Sequence, residues 1–386
     1  MSFSKLFGDP NAPLVSRPVS SKVKHSFVLL VLIVILCSLY GLSSVRVPSW
    51  PSRESFSAES FSLPNPLHKL HSSATGYLPI QDAESLCSRF NWPTYPHRTS
   101  RRKIYDLVLV DTELDWLEIR MHEYQYDVDY FVIVEATTTF TRNPKPLTFK
   151  ANLDRFQRFY DKIIYRAINY DHITGDNPWE CEEYSRNALY DLVFPSLLGA
   201  AAPELGDIIL VSDADEVPRR STLTVLRNCQ FPERTTLRTK SFKYSFQWLW
   251  TGNGLEGWYH PQVTYFTGLN ETIKPQDLRL NLHGVAWDKI MGGWAGWHCS
   301  YCFATVAEII HKIESFSHTE ANAPENKHPS VIVDRIRKGL GIFEFNDTLT
   351  RVEMEDLPQY LQENPSRFAY MIDRDPKNAN FKDYVA

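Results

Sequence analysis

Basic charge is not in excess in this chain of 386 residues: 41 Lys and Arg stand against 46 Asp and Glu, a net charge of -5. A chain-wide electrostatic footprint for nucleic acid is missing, so no nucleic-acid partner is expected. Cysteine is scarce at six residues, far below the density of a disulfide scaffold. Cys299-x-x-Cys302 has no second pair to complete a zinc site and no thioredoxin context. The dense His/Asp ligand set of a metal-dependent phosphodiesterase is also lacking. What is present, 43% apolar residues, is ample for a sizeable core and excludes a fully disordered chain.

Charge is absent altogether from His25 to Val45, whose centre FVLLVLIVIL (27–36) is uninterrupted apolar sequence. Twenty-one helical residues span about 31 Å, close to the hydrocarbon thickness of a bilayer. Lys5, Arg17, Lys22 and Lys24 precede the stretch against Asp9, whereas the charges after it balance. The positive-inside rule then predicts a cytoplasmic tail (1–24), a transmembrane signal-anchor (25–45) and a lumenal remainder. The long basic flank and long apolar run favour an anchor over a cleaved signal peptide. Sequons at Asn270 and Asn346 agree with a lumenal location. Residues 46–103 are expected to be a stem, because the Ser- and Pro-rich, aperiodic part cannot bury enough surface to fold. Arg101-Arg102-Lys103 reads as its solvated end.

From residue 104 onward, short apolar runs alternate with helical spacing. YDLVLV (105–110), YFVIV (130–134), KIIYRAI (162–168) and DIILV (207–211) read as strands. Residues 113–124, 151–160 and 180–197 read as helices between them. That alternation predicts an α/β domain with a mostly parallel sheet flanked by helices. Ligands bind beyond the carboxyl ends of such strands. Acids stand there: Asp111 and Glu113, Glu135, then Asp213 and Asp215. Ser212-Asp213-Ala214-Asp215-Glu216 is the sharpest motif, two carboxylates leaving a strand two residues apart. Mg²⁺ and Mn²⁺ prefer such oxygens and commonly complete their shell with substrate phosphates. Asp215 is expected to be a metal ligand and Asp213 to serve the metal, its water shell or a ribose. Glu216 is expected to orient the turn, and Glu135 is a candidate for the nucleotide.

These segments carry a resemblance. DTELDWLEIRMHEY (111–124), VIVEATTTFTRNPKPL (132–147), WECEEYSRNAL (179–189), DIILVSDADEVPR (207–219), GGWAGWHCSYCF (292–303), KIESFSHTE (312–320) and LPQYLQENPSRFAYM (357–371) follow in order. Together they are similar to glycosyltransferase family 17, the family of the bisecting β-1,4-mannosyl-glycoprotein N-acetylglucosaminyltransferase. Arg142 departs from the pattern, where a small residue is expected. The resemblance implies a GT-A fold over 104–386, with a nucleotide-sugar half (104–220) and an acceptor half with C-terminal helices (221–386). It implies inverting transfer of GlcNAc from UDP-GlcNAc, with Mn²⁺ or Mg²⁺, onto a mannosyl glycan of a glycoprotein. It further implies a single-pass type II protein of the Golgi membrane. A different nucleotide sugar on the same fold, or a catalytically silent glycan-binding protein, are the alternatives.

By the same resemblance Arg186 and Asn187 are expected at the nucleotide. In GT-A enzymes a base and a metal-binding His lie near the helix expected at 304–316. His298 is then the candidate base, with Asp288 and Glu320 as rivals, and His318 is a candidate metal ligand. Phe242, Tyr244, Phe246, Trp248 and Trp250 alternate with other residues, which predicts one strand with an aromatic face packed mostly on the core. Trp258, Tyr259 and His260 are a candidate acceptor rim. Residues 292–298 read as a Gly/Trp loop. Five cysteines beyond the span leave one thiol over after structural disulfides.

Overall fold

The computed structural model describes residues 76–251, 257–280, 289–343 and 348–385, with backbone alone over 289–293. The tail, the anchor expected at 25–45, most of the stem and Asp288 lie outside the described residues. No helix among the described residues is long and apolar enough to cross a membrane.

The expected stem ends well before residue 103. Helix α1 (Ile80–Ser88) buries Ala83, Leu86 and Cys87, the i, i+3, i+4 stripe that seats a helix on a core. Cys87 is disulfide-bonded to Cys229, and Asn228 Oδ1 accepts from the Leu78 amide at 2.9 Å. Trp92 is buried in the same cluster. Nor is Arg102 a solvated linker end. It is 1% exposed, stacks over Tyr95, and donates to the carbonyls of Gly206 and Leu226, both at 2.7 Å. Starting the protein at residue 101 should therefore cost the 2–5 kcal/mol typical of a lost native disulfide, and more from the uncovered Trp92 site. Starting it at residue 76 should leave the melting temperature of the domain unchanged. Equal melting of the two would return residues 76–100 to the stem.

Alternation then proceeds as the sequence indicates: β1 (Ile104–Leu109), α2 (Leu114–Tyr124), β2 (Tyr130–Ala136), the single turn α3 (Thr148–Ala151) with 3-10 turns after it, β3 (Ile163–Ile168), α4 (Pro178–Asp191) and β4 (Ile208–Asp213). β1 pairs in parallel with β2 and with β4, and β2 with β3. β1, β2 and β4 are fully or almost fully buried, as strands covered on both faces require. Residues 104, 108, 131 and 133 feed one core cluster and residues 105, 107, 132 and 134 a second on the other face.

The second half departs from a mostly parallel sheet. β5 (Glu216–Pro218), α5 (Arg220–Asn228), β6 (Thr235–Lys243), β7 (Ser245–Trp250), β8 (Gln262–Tyr265), α6 (Pro275–Leu280), β9 (Lys289–Ser300), α7 (Val306–Ser315), α8 (Pro329–Lys338) and β10 (Leu349–Arg351) follow. The main path of the sheet runs β10-β7-β6-β8-β4-β1-β2-β3, with β9 beside β6 and β5. β8 joins β4 and β6 antiparallel, and β7 joins β6 antiparallel. The sheet is mixed, with β9 parallel to β6 and antiparallel to β5. Tyr244 alone separates β6 from β7 and has φ 66°, so the single aromatic strand expected over 242–250 is broken there. Phe242, Tyr244, Phe246 and Trp248 are buried as expected. The expected Gly/Trp loop at 292–298 is instead the middle of β9. A side chain at Gly296 would meet Val217 O at 2.3 Å, so glycine permits the close β5–β9 approach. Arg142, the departure noted above, sits at φ 64°, a conformation that favours glycine or asparagine.

Candidate active site

The sheet order reverses at β1, with β2 and β3 on one side and β4 on the other. A parallel sheet opens a crevice at such a switch point, beyond the strand carboxyl ends. A cavity of about 490 Å³ lies there, lined by Asp111, Glu113, Asp213, Asp215, His298 and Lys312 among others.

Strand alternation decides which residues reach it. In β6, Ser241 and Lys243 line the cavity while Phe242 enters the core. In β9, His298 and Ser300 line it and Trp297 and Cys299 are core. In β2, Val134 and Ala136 line it, which turns Glu135 to the other face. Glu135 accepts from the Phe149 amide at 2.7 Å and from the Tyr165 hydroxyl at 3.0 Å; it satisfies the start of α3 rather than a nucleotide. Asn187 is also diverted, its Oδ1 accepting from the Gln276 amide at 3.0 Å, so it anchors α6. Glu320 and His318 hydrogen-bond each other at 2.7 Å. Both are exposed; His318 reaches the cavity rim and Glu320 does not line it.

The acids at the strand ends are not alike. Glu216, 0% exposed, takes Arg279 on both oxygens and Trp258 Nε1 at 2.7 Å. Burial alone would push its carboxyl up, but the Arg279 guanidinium holds it well below the usual range. It also accepts from the Asp213 amide at 3.0 Å, the turn-orienting part expected of it. Asp213 has Arg279 at 2.7 Å on one oxygen and Arg186 at 3.4 Å on the other; these cations lower its pKa against the effect of burial. Asp111 is held at about 2, burial being outweighed by the His311 hydrogen bond and the Lys145 charge. Glu113 accepts from the Asp111 and Thr112 amides and meets Lys312 at 3.2 Å.

Asp215 differs from all of these. It is 5% exposed, yet its carboxylate makes no hydrogen bond among the described residues. Lys312 Nζ stands 3.6 Å from one oxygen and His298 Nδ1 3.7 Å from the other. Burial accordingly raises its pKa, with Lys312 and His298 only partly offsetting it. His298 Nδ1 is itself buried without a partner. Its ring is stacked on Trp258 at 4.9 Å and 13°, and Trp258 is tied to Glu216. Trp258 therefore fixes the imidazole against the acid pair, and His260, kept near 4 first by burial and then by Arg279, adds no positive charge at neutral pH. Arg279, Lys312 and His311 were not among the residues singled out from sequence. Their signal was indirect: carboxylates at buried strand ends call for cations beside them.

Among the described residues no group of three or more His, Cys, Asp or Glu is disposed to hold a metal ion alone. Asp213 is spoken for by two arginines, and no contact joins His318 to Asp215. Asp215, with both oxygens unbonded, fits the other mode, in which Mg²⁺ or Mn²⁺ binds through one carboxylate and substrate phosphates. Among the described residues Cys87–Cys229 and Cys299–Cys302 are paired and Cys181 is the thiol left over.

The sequence model of glycosyltransferase family 17 matches residues 21–377. The chain is 27% identical over 320 residues to the human protein named beta-1,4-mannosyl-glycoprotein 4-beta-N-acetylglucosaminyltransferase, covering 73% of this chain and 58% of that one. The rat and mouse proteins of that name are each 26% identical over 328 residues, covering 75% of this chain and 59% of theirs. The chain thus spans under three fifths of the length of these relatives. With a family match over nearly its whole length, and the acids of its switch-point crevice in the segment DIILVSDADEVPR, the chain belongs to glycosyltransferase family 17.

Proposed function

We propose that the chain is an inverting GT-A N-acetylglucosaminyltransferase, moving GlcNAc from UDP-GlcNAc to a mannosyl glycan on a glycoprotein. The observation that carries the reading is Asp215, a buried carboxylate free of hydrogen bonds, facing His298 at the carboxyl end of β4. A solvated acidic turn would not leave a desolvated carboxylate unsatisfied; a site that waits for a ligand does. Asp215 would hold Mn²⁺ or Mg²⁺, which when bound offsets the charge of the leaving diphosphate. Asp213, locked by Arg186 and Arg279, keeps the turn in place and supplies an acceptor for a donor hydroxyl. His298 removes the proton of the acceptor hydroxyl as its oxygen bonds to the anomeric carbon, and the bond from that carbon to UDP breaks on the opposite face. Trp250 and Trp258, which line the cavity, offer flat apolar area for the acceptor sugar. The uncharged span at 25–45 and its basic flank support a single-pass type II Golgi membrane protein with this domain in the lumen.

The experiment is a panel of nucleotide sugars offered to the purified protein with mannosyl glycan acceptors, with Mn²⁺ or EDTA. GlcNAc transfer from UDP-GlcNAc, lost in EDTA, is expected. Transfer from another donor alone reassigns the sugar. Glycan binding without turnover of any donor makes the chain a silent binding protein and sinks the proposal.

A further inference from the structure

We infer that Lys312 is a diphosphate-binding residue of the donor site and recognises the phosphates without the help of a divalent metal. This rests on the glycosyltransferase reading above. Lys312 lies in the last turn of α7, whose Ile309 and Ile313 are fully buried and whose start is fixed by the Thr305–Glu308 capping box. The helix therefore presents Lys312 to the cavity rigidly. The ammonium sits 5.7 Å from the Tyr301 ring centroid and 5.5 Å from that of Phe303, close enough for both faces to hold a cation.

Its partners leave capacity for a ligand. An ammonium has three donors, and one is used, on Glu113 at 3.2 Å. The contact to Asp215 at 3.6 Å is beyond hydrogen-bond reach. The neighbouring arginines are more fully engaged. Arg279 makes three bonds to Asp213 and Glu216, and Arg186 is divided among Gln276, Glu182 and Asp213. Lys145 pairs with Asp111 at 3.0 Å without a hydrogen bond and shares the cavity wall with Lys312. Glu113 at 3.2 Å and Asp215 at 3.6 Å flank the ammonium at the place where Asp215 would meet the phosphates.

The test is calorimetric titration of the full chain with UDP and with uridine, in EDTA, for the wild type, Lys312→Met and Lys312→Arg. The wild type is expected to bind UDP more tightly than uridine without metal. Lys312→Met should lose about 10- to 100-fold in UDP affinity, the scale of a hydrogen bond to a charged group, with uridine affinity unchanged. Unchanged uridine binding also shows that the variant is folded, and Lys312→Arg should recover part of the UDP preference. If Lys312→Met unfolds, Lys312→Gln, which still donates to Glu113, gives the same reading. An unaltered ratio of UDP to uridine affinity in the variants overturns the inference, as does a wild type that favours UDP only with Mn²⁺. A wild type that binds neither ligand overturns the glycosyltransferase reading with it; that outcome is seen before any variant is made.

Discussion

Asp215→Asn should lose about 10²–10³ in transfer rate, the range for removal of one charged contact at a developing negative charge, while its melting temperature holds or rises. The substitution keeps the shape of the side chain and removes the charge on which a cation would depend. Stability should not suffer because Asp215 makes no hydrogen bond in the folded protein and its desolvation is only partly offset by Lys312 and His298. Lys312 keeps Glu113 as partner. A site residue that costs stability and serves chemistry is the usual form of the trade-off between the two. Asp213→Asn should behave in the opposite way. It withdraws a carboxylate from Arg279 and Arg186, so melting should fall by several degrees while part of the transfer returns at high Mn²⁺. Transfer rate against Mn²⁺ concentration, with melting curves beside it, separates the two. Wild-type transfer by Asp215→Asn would remove Asp215 from the mechanism.

The part of the fold that sequence alone made legible is the part in which one local rule decides the outcome. β1, β2 and β4 are short apolar runs with helices between them, the pattern of strands covered on both faces. The acids at their ends were visible for the same reason. Legibility fell where tertiary contact overrides local pattern. Residues 292–298 look like a loop because glycine is frequent, yet Gly296 is there so that β9 can lie against Val217. Glu135 looked like a ligand by position alone; the period of two along β2 sends it to the α3 side, a distinction that required knowing which face of the sheet the crevice opens on. α1 was hidden because nine residues give a weak periodic signal beside a Ser- and Pro-rich tract, and its anchor, Cys229, is 142 residues away. The cations were hidden most completely. Arg279 and Lys312 come from helices whose relation to β4 no local pattern encodes.

Arg120→Met should destabilise the domain by about 3–5 kcal/mol, the cost of leaving one member of a buried ion pair alone. Arg120 and Asp106 are both 0% exposed. The guanidinium donates to Asp106 at 2.6 Å through Nε, to the Ser212 hydroxyl and to the Glu216 carbonyl at 2.6 Å. It thereby ties α2 and β1 to the turn that carries Asp213 and Asp215. The double variant Arg120→Met with Asp106→Leu removes both charges at once. Buried pairs replaced by apolar residues of similar volume are often neutral in stability, so most of the loss should be recovered. Transfer should not recover with it, because the Glu216 carbonyl still lacks its donor and the turn is held only from the Arg279 side. The checks are chemical denaturation of the two single variants and the double, and transfer rate at saturating donor. A double variant as unstable as Arg120→Met would show that the guanidinium acts through the backbone of the turn alone. Recovery of transfer along with stability would show that Arg120 neutralises Asp106 and does not position the acids.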